Sequence, residues 1–141
     1  MDWQEFLGPE PIVVDLKARN RWEAIDELIS QLAGIQAIKP EDATPIASCI
    51  RRRETAMSTG VGYQVAIPHA ITDLVTNVVK AVGRSQEGID FESIDGASVK
   101  LVFLYVVPQK QLQQHLHTLG NLARLLHNED TRQELWRRFL T

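Results

Sequence analysis

The stretch that decides the fold is VKLVFLYVV, residues 99–107. From Leu101 onward every residue in it is apolar, so both faces of an extended strand would be apolar here. Pro108 follows directly and cannot continue the pairing of a central strand. Such a strand is typical of the middle of a sheet that helices cover on both sides. As a helix, this apolar stretch would also be too short to span a bilayer, because a membrane-spanning helix needs about 20 residues.

Helical and extended patterns alternate outward from this strand. Further strands are predicted at Ile12–Leu16, Val65–Ile67 and Val78–Gly83, with turns at 58–62, 87–91 and 95–96. Helices are predicted over 21–33, from near Asp42 to around Glu54, along 112–126 and over 135–140. Asn20 with Glu23 fits the start of the first of these, as a capping box. We therefore predict an α/β fold, in one domain over residues 1–141, whose sheet carries helices on both faces.

Composition narrows the class of protein. The chain has 141 residues, 44% hydrophobic and 23% charged, which is typical of one globular domain. Cys49 is the single cysteine, so an internal disulfide is excluded and a reducing compartment is favoured. The N-terminus has neither a basic region nor an apolar run, and we expect a cytoplasmic protein without membrane insertion. With a net charge of −3, and with Arg51, Arg52 and Arg53 fanned around a helix, no nucleic-acid partner is expected.

The histidines are the candidate reactive residues. His69 follows a short predicted strand and Pro68, which presents it at the edge of the sheet. From this position alone, an incidental and a functional role both remain open. On the 112–126 helix, Leu112, Leu116, Leu119, Ala123 and Leu126 are predicted to form the buried stripe, with His115 at its border. His115 and His117 diverge by about 200° on that helix, so no metal site and no cofactor are predicted.

Two motifs in the chain carry a resemblance to a known family. Residues 53–70, RETAMSTGVGYQVAIPHA, resemble the signature of the fructose/mannitol-type (type 2) enzyme IIA domain of the bacterial phosphoenolpyruvate-dependent phosphotransferase system. The stretch from Val107 through His115 to Leu119 resembles the second motif of that family, in particular of its nitrogen-regulatory branch. The resemblance implies a mixed sheet sandwiched between helices. It also implies that His69 is phosphorylated by HPr or its nitrogen-branch paralogue, and that His115 and Arg53 line the site.

The chemistry of phosphoryl transfer suits these residue types. A neutral imidazole nitrogen is a competent nucleophile near pH 7. Beyond the nucleophile, phosphoryl transfer mainly requires hydrogen-bond donors around the oxygens of the transferred group. Candidate donors are Arg53, His115 and a phosphate-binding turn containing Ser58, Thr59, Gly60 and Gly62. The turn is not a nucleotide P-loop, because no Lys-Ser/Thr pair follows it at the required position.

One residue departs from the family pattern. Gln64 stands where members commonly carry glycine, and its side chain could narrow the rim of the site or change which partner docks. Tyr63 beside it could contribute to a docking surface or simply cover the turn.

Several functions agree with this pattern. The leading hypothesis is a freestanding regulatory enzyme IIA, since no transporter, IIB or HPr-like segment is recognised in the 141 residues. The first alternative is a sugar-specific enzyme IIA that passes phosphate to a separate IIB. The second is a binding module that keeps the fold but does not transfer phosphate. A metal-dependent hydrolase using His69 and His115 is disfavoured, because no carboxylate lies at a recognisable ligand spacing.

Overall fold

A computed structural model of the protein describes residues 2–140. Within that range the chain forms five α-helices: α1 (Trp3–Leu7), α2 (Arg21–Gly34), α3 (Ala43–Ala56), α4 (Leu112–His127) and α5 (Glu129–Phe139). The same range forms six strands: β1 (Val13–Asp15), β2 (Gly60–Gly62), β3 (Val65–Ala66), β4 (His69–Ile71), β5 (Val79–Ile89) and β6 (Val99–Val107). Short 3-10 turns at Pro40–Asp42 and Gln109–Gln111 lead into α3 and α4. No helix in residues 2–140 is long and apolar enough to cross a membrane.

The predicted central strand, β6, organises a mixed sheet in the order β1-β5-β6-β3-β2. One edge of β6 pairs antiparallel with β5, which in turn pairs parallel with β1. Its other edge is shared by two short parallel strands, β3 opposite Leu101 and Val102 and β4 opposite residues 105–107. The chain between β3 and β4 is only Ile67 and Pro68, so His69 enters the sheet directly opposite Tyr105.

Alternate residues of β6 serve two separate cores. Val102, Leu104 and Val106 pack with the buried sides of α2 and α3. On the opposite face, residues 101, 103, 105 and 107 pack with α1, α4 and α5. The side chains of β6 alternate between the faces because of the pleat, and each fully buried one contributes about 1.5–3 kcal/mol. The predicted α/β fold, with a mixed sheet between helices, is confirmed.

Local predictions were wrong at the last helix and at two strands. The helix predicted over 135–140 is α5, which begins at Glu129. Gly60–Gly62 was predicted as part of a turn but forms β2, which pairs antiparallel with β3. The strand predicted to end at Gly83 runs to Ile89, because β5 contains an irregularity between Arg84 and Ile89 that accommodates the polar residues in between. In that irregular stretch the Ser85 hydroxyl accepts a hydrogen bond from the Gly88 N–H at 3.1 Å.

The turn between β2 and β3 explains why glycine suits position 64. Both of its central residues, Tyr63 and Gln64, have left-handed backbone angles, with φ of 55° and 62°. This is the geometry of a two-residue hairpin turn, in which glycine carries no steric cost while other residues pay about 1–2 kcal/mol. The Gln64 carbonyl oxygen accepts hydrogen bonds from the N–H groups of Lys100 and Leu101, at 2.9 and 3.1 Å, and so ties the turn to β6.

Gln64→Gly is expected to raise the free energy of unfolding by about 0.5–1 kcal/mol, because the relief of left-handed strain exceeds the added entropy of the unfolded chain. Urea unfolding measures the change. The matched control is Gln86→Gly, at an exposed position of β5 with no such backbone angle, and it should lower stability by about 0.5–1 kcal/mol. A loss of stability for Gln64→Gly would contradict the strain argument.

Candidate functional site

A cavity of about 550 Å³ opens where α3 ends and the short strands begin. Its lining includes five of the residues predicted from sequence: Arg53, Ser58, Thr59, Gly60 and His69. The rest of the lining is largely apolar, with Met57, Val61, Ile67 and Ile94 joined by Glu92. Two predicted residues lie outside this lining, namely Gly62 in β2 and His115 in α4. The cavity is of the size that small-molecule sites usually have.

The half-buried His69 is held in one orientation by its own strand connection. Its Nδ1 lies 2.9 Å from the carbonyl oxygen of Ile67. A carbonyl oxygen can only accept, so Nδ1 carries the proton and the lone pair is on Nε2. Burial lowers the pKa of His69 from its usual 6.5, and the backbone hydrogen bond to Ile67 only partly opposes this. The ring is therefore neutral near pH 7, with its nucleophilic atom free.

His115 reaches His69 from the other side. Their ring centroids are 5.3 Å apart, and His115 lies equally close, at 5.3 Å, to the ring of Tyr105. The residue is only 3% exposed, and its Nε2 is buried without a hydrogen-bond partner among residues 2–140. Burial, followed by the charge of His69, lowers the pKa of His115 to about 4. A buried polar atom with no partner is rare in folded proteins, and this one belongs to a ring in contact with His69.

The prediction of the buried stripe on α4 was largely wrong: Leu116 and Ala123 are exposed, Leu112 and Leu119 are half-buried, and Leu126 is buried as predicted. His115 faces the sheet and is buried, whereas Leu116 is 57% exposed. Leucines lie on several sides of this helix, so the apolar pattern is broad and does not fix which residues face inward. The buried residues of α4 are His115, Asn121, Leu122, Leu125 and Leu126.

The depressed pKa of His115 makes stability depend on pH in a defined window. In the unfolded chain the ring titrates near 6.5 and in the folded protein near 4, so the unfolded state binds the extra proton first. Stability from this group is intact above pH 6.5 and is lost as the pH falls toward 4, by about 3 kcal/mol in total. Chemical unfolding of the native protein and of His115→Asn, measured from pH 7.5 to 4, isolates this loss. If the free energy of unfolding falls equally with pH in both proteins, the loss does not come from His115.

Arg53 is anchored at the mouth of the cavity. Its Nη1 donates a hydrogen bond of 2.8 Å to the carbonyl oxygen of Met57, across the end of α3. The remaining guanidinium donors can still face an anion. The neighbouring arginines are used elsewhere, since Arg51 pairs with Asp26 and Arg52 donates to the Cys49 sulfur at 3.2 Å. The choice of Arg53 over its neighbours therefore agrees with the lining of the cavity.

Several donors of the predicted phosphate-binding turn are engaged within the chain. The Thr59 N–H and hydroxyl both donate to the Glu54 carboxylate, and the Gly60 N–H donates to the Ser58 oxygen at 3.1 Å. The Ser58 hydroxyl donates in turn to the Phe91 carbonyl. At Gly60 a Cβ would come within 2.8 Å of the Ser93 Cβ, so close packing requires a glycine there.

Glu54 is a buried residue that sequence reasoning missed. It is 1% exposed, and its carboxylate accepts from the Thr59 N–H at 3.1 Å, from the Thr59 hydroxyl at 2.6 Å and from Arg21 at 3.4 Å. One signal could have found it, because Glu54 continues the buried stripe of Ile46 and Ile50 at the spacing of one helical turn. Within residues 2–140, no three histidine, cysteine, aspartate or glutamate side chains are grouped to hold a metal ion.

Comparison with known proteins gives a consistent result. The family model described as "Phosphoenolpyruvate-dependent sugar phosphotransferase system, EIIA 2" matches residues 5–138. The fructose-specific EIIABC component of Bacillus subtilis is 36% identical over 131 residues, which are 93% of this chain and 20% of that protein. The chain thus spans about one fifth of that relative's length.

A nitrogen regulatory protein of Bradyrhizobium diazoefficiens is 33% identical over 131 residues, covering 93% of this chain and 84% of that protein. Among solved structures, the nitrogen regulatory protein IIA-Ntr from Neisseria meningitidis superposes with a TM-score of 0.78 at 29% identity, over 94% of this chain and 89% of that one.

Proposed function

Because this chain belongs to the EIIA 2 family of the phosphoenolpyruvate-dependent sugar phosphotransferase system, we propose that it is a regulatory phosphocarrier whose His69 accepts a phosphoryl group from a phosphorylated HPr-like protein. The observation that carries the proposal is the free Nε2 of His69 in a cavity that also holds Arg53. The partner then distinguishes the phosphorylated from the unmodified state, because phosphorylation adds about 1.5–2 negative charges.

The transfer requires one bond to form and one to break. The lone pair on Nε2 of His69 attacks the donor's phosphorus, and the bond from phosphorus to the donor atom breaks with its electron pair staying on the donor. The proton on Nδ1 stays in its hydrogen bond to the Ile67 carbonyl, so no general base is needed. This tautomer is set before the donor arrives, which lowers the reorganisation that transfer demands.

Arg53 and His115 are proposed to stabilise the phosphoryl oxygens. A guanidinium binds such oxygens through two parallel hydrogen bonds, and the unpartnered Nε2 of His115 is a second polar group beside His69. Ser58, Thr59 and Gly60 form a wall of the same cavity, but the Ser58 hydroxyl and the N–H groups of Thr59 and Gly60 donate within the chain. We therefore assign the direct contacts first to Arg53 and His115.

The test is phosphorylation in vitro. The purified protein is incubated with phosphorylated HPr, or with its nitrogen-branch paralogue, and analysed by mass spectrometry at neutral pH. One added phosphoryl group, lost on acid treatment and mapped to His69, is the expected result. A folded protein that gains no adduct from either donor would disprove the proposal.

A sugar-specific role is the second candidate, and the similarity to a fructose-specific EIIABC component supports it. In that case phosphate moves on from His69 to a IIB protein. Mixing the phosphorylated chain with a purified IIB protein separates the two roles, since a carrier for transport loses its label to IIB and a regulator retains it.

Arg53→Lys is expected to slow phosphorylation about tenfold, because lysine keeps the charge but loses one charge-assisted hydrogen bond of the guanidinium fork. Initial rates at limiting donor measure the effect. Arg52→Lys is the matched control, since Arg52 is exposed and does not line the cavity, and its rate should equal that of the native protein. Equal rates for both variants would remove Arg53 from the site.

A further inference from the structure

A second cavity lies behind His115, between α1, the middle of the sheet and α4. Its volume is about 310 Å³, and none of its lining residues belongs to the lining of the His69 cavity. Polar side chains from three elements face it: Glu5 from α1, Lys80 from β5, and Gln114, His115 and Asn121 from α4. This volume is at the small end of the range for ligand sites, which suits a metabolite of a few heavy atoms rather than a nucleotide.

Lys80 is a half-buried cation that lines this cavity and forms no ion pair among residues 2–140. Its Nζ donates one hydrogen bond of 3.1 Å, to the Phe6 carbonyl oxygen. Burial lowers the pKa of Lys80. An ammonium has three donors, and a partly desolvated cation is stabilised by an anion at hydrogen-bond distance. The two remaining donors of Lys80 are therefore suited to a carboxylate.

His115 is a polar wall residue of the same cavity and is 3% exposed. Its buried Nε2 is the atom proposed above for the phosphoryl oxygens, so His115 links this cavity to the His69 site. Asn121, 5% exposed, is a further polar wall residue, and its Oδ1 is already taken by Arg124. These buried polar groups favour a ligand with hydrogen-bonding groups over an apolar one.

Glu5 gives the cavity its second charge. It lines the same space as Lys80, yet the two form no ion pair with each other among residues 2–140. One cation and one anion that line the same small cavity without pairing complement a ligand that carries one carboxylate and one ammonium. We propose that this cavity binds a free α-amino acid, with its carboxylate on Lys80, its ammonium toward Glu5 and a polar side chain near Gln114 and Asn121.

The cavity is joined to His69 by the register of the sheet. Tyr105 of β6 lies opposite Lys80 on one side and opposite His69 on the other, so the three residues form one row across the sheet. His115 contacts two members of this row, His69 and Tyr105. A bound amino acid would therefore change the rate at which His69 is phosphorylated, a consequence that rests on the proposed function.

Binding is tested on the unphosphorylated protein, so its outcome does not depend on the proposed function. A nitrogen-15-labelled sample is titrated with each of the common amino acids, and with the keto acid and the amine that match the tightest binder. We expect shifts at the amides of Lys80, Gln114 and Thr118, and about tenfold weaker binding of the keto acid and the amine. No shift with any amino acid, or a keto acid that binds equally well, would overturn the proposal.

Variants locate the site. Lys80→Met should weaken binding about tenfold or more, while Lys39→Met, at an exposed lysine outside this cavity, should bind as the native protein does. Glu5→Gln, at an exposed position, should weaken the binding of amino acids but not the binding of the matched keto acid. If Lys80→Met does not fold, the result for Glu5→Gln tests the proposal. Unchanged binding in Glu5→Gln, or in a folded Lys80→Met, would contradict the assignment.

Discussion

Replacing His69 by alanine is expected to abolish phosphorylation of this protein by any HPr-like donor. The reason is geometric, since among the histidine nitrogens of residues 2–140 the Nε2 of His69 is the one that combines a fixed tautomer with a place in the cavity of Arg53. His115 is buried beside it and is not expected to take over, because it does not line the cavity that the donor enters. Mass spectrometry at neutral pH, with the native protein in parallel, should show a complete loss of the adduct.

The matched controls are the two exposed histidines of α4. His117→Ala and His127→Ala should each retain one acid-labile phosphate and a near-native rate, because neither residue lines the His69 cavity. Each variant needs a folded spectrum before its rate is compared. An adduct that persists in His69→Ala, or that disappears in His117→Ala, would place the acceptor elsewhere.

Much of the fold follows from local patterns along the chain. The apolar run of residues 101–107 predicts the central strand, and the capping of α2 by Asn20 is confirmed by the 2.9 Å hydrogen bond from the Glu23 N–H to the Asn20 side chain. The cavity brings Arg53 and His69 together, as the sequence motif implied. These features depend on residues close in sequence, or on a motif that spans the whole site.

The errors share a different origin, since they depend on tertiary contacts. The end of β5 was missed because Gly88 and its polar neighbours resemble a turn, although pairing with β6 resumes at Ile89. Leu116 was placed inward because apolar periodicity alone cannot choose between adjacent faces of a leucine-rich helix. Glu54 was missed because an acidic residue near a helix end is usually solvated, and only its partners in the fold, Thr59 and Arg21, make its burial favourable.

Glu54 gives the second large expected effect. Glu54→Ala should lower the free energy of unfolding by about 4 kcal/mol, because it leaves the Thr59 N–H and hydroxyl without an acceptor and removes the buried partner of Arg21. For a chain of this length the melting temperature should fall by about 15 °C. Urea unfolding and calorimetry measure both values.

Two comparisons separate this buried carboxylate from a general loss of charge. Glu92 is the other partner of Arg21, and its own side chain is 71% exposed. Glu92→Ala should therefore change the free energy of unfolding by less than about 0.5 kcal/mol. Glu54→Gln keeps an acceptor for Thr59 without the charge and should lose about 2 kcal/mol. Because Glu54 holds Thr59 in the wall of the His69 cavity, folded Glu54→Gln should also accept phosphate more slowly than the native protein. Equal stabilities for Glu54→Ala and Glu92→Ala would show that this hydrogen-bonded wall contributes nothing beyond the surface ion pair.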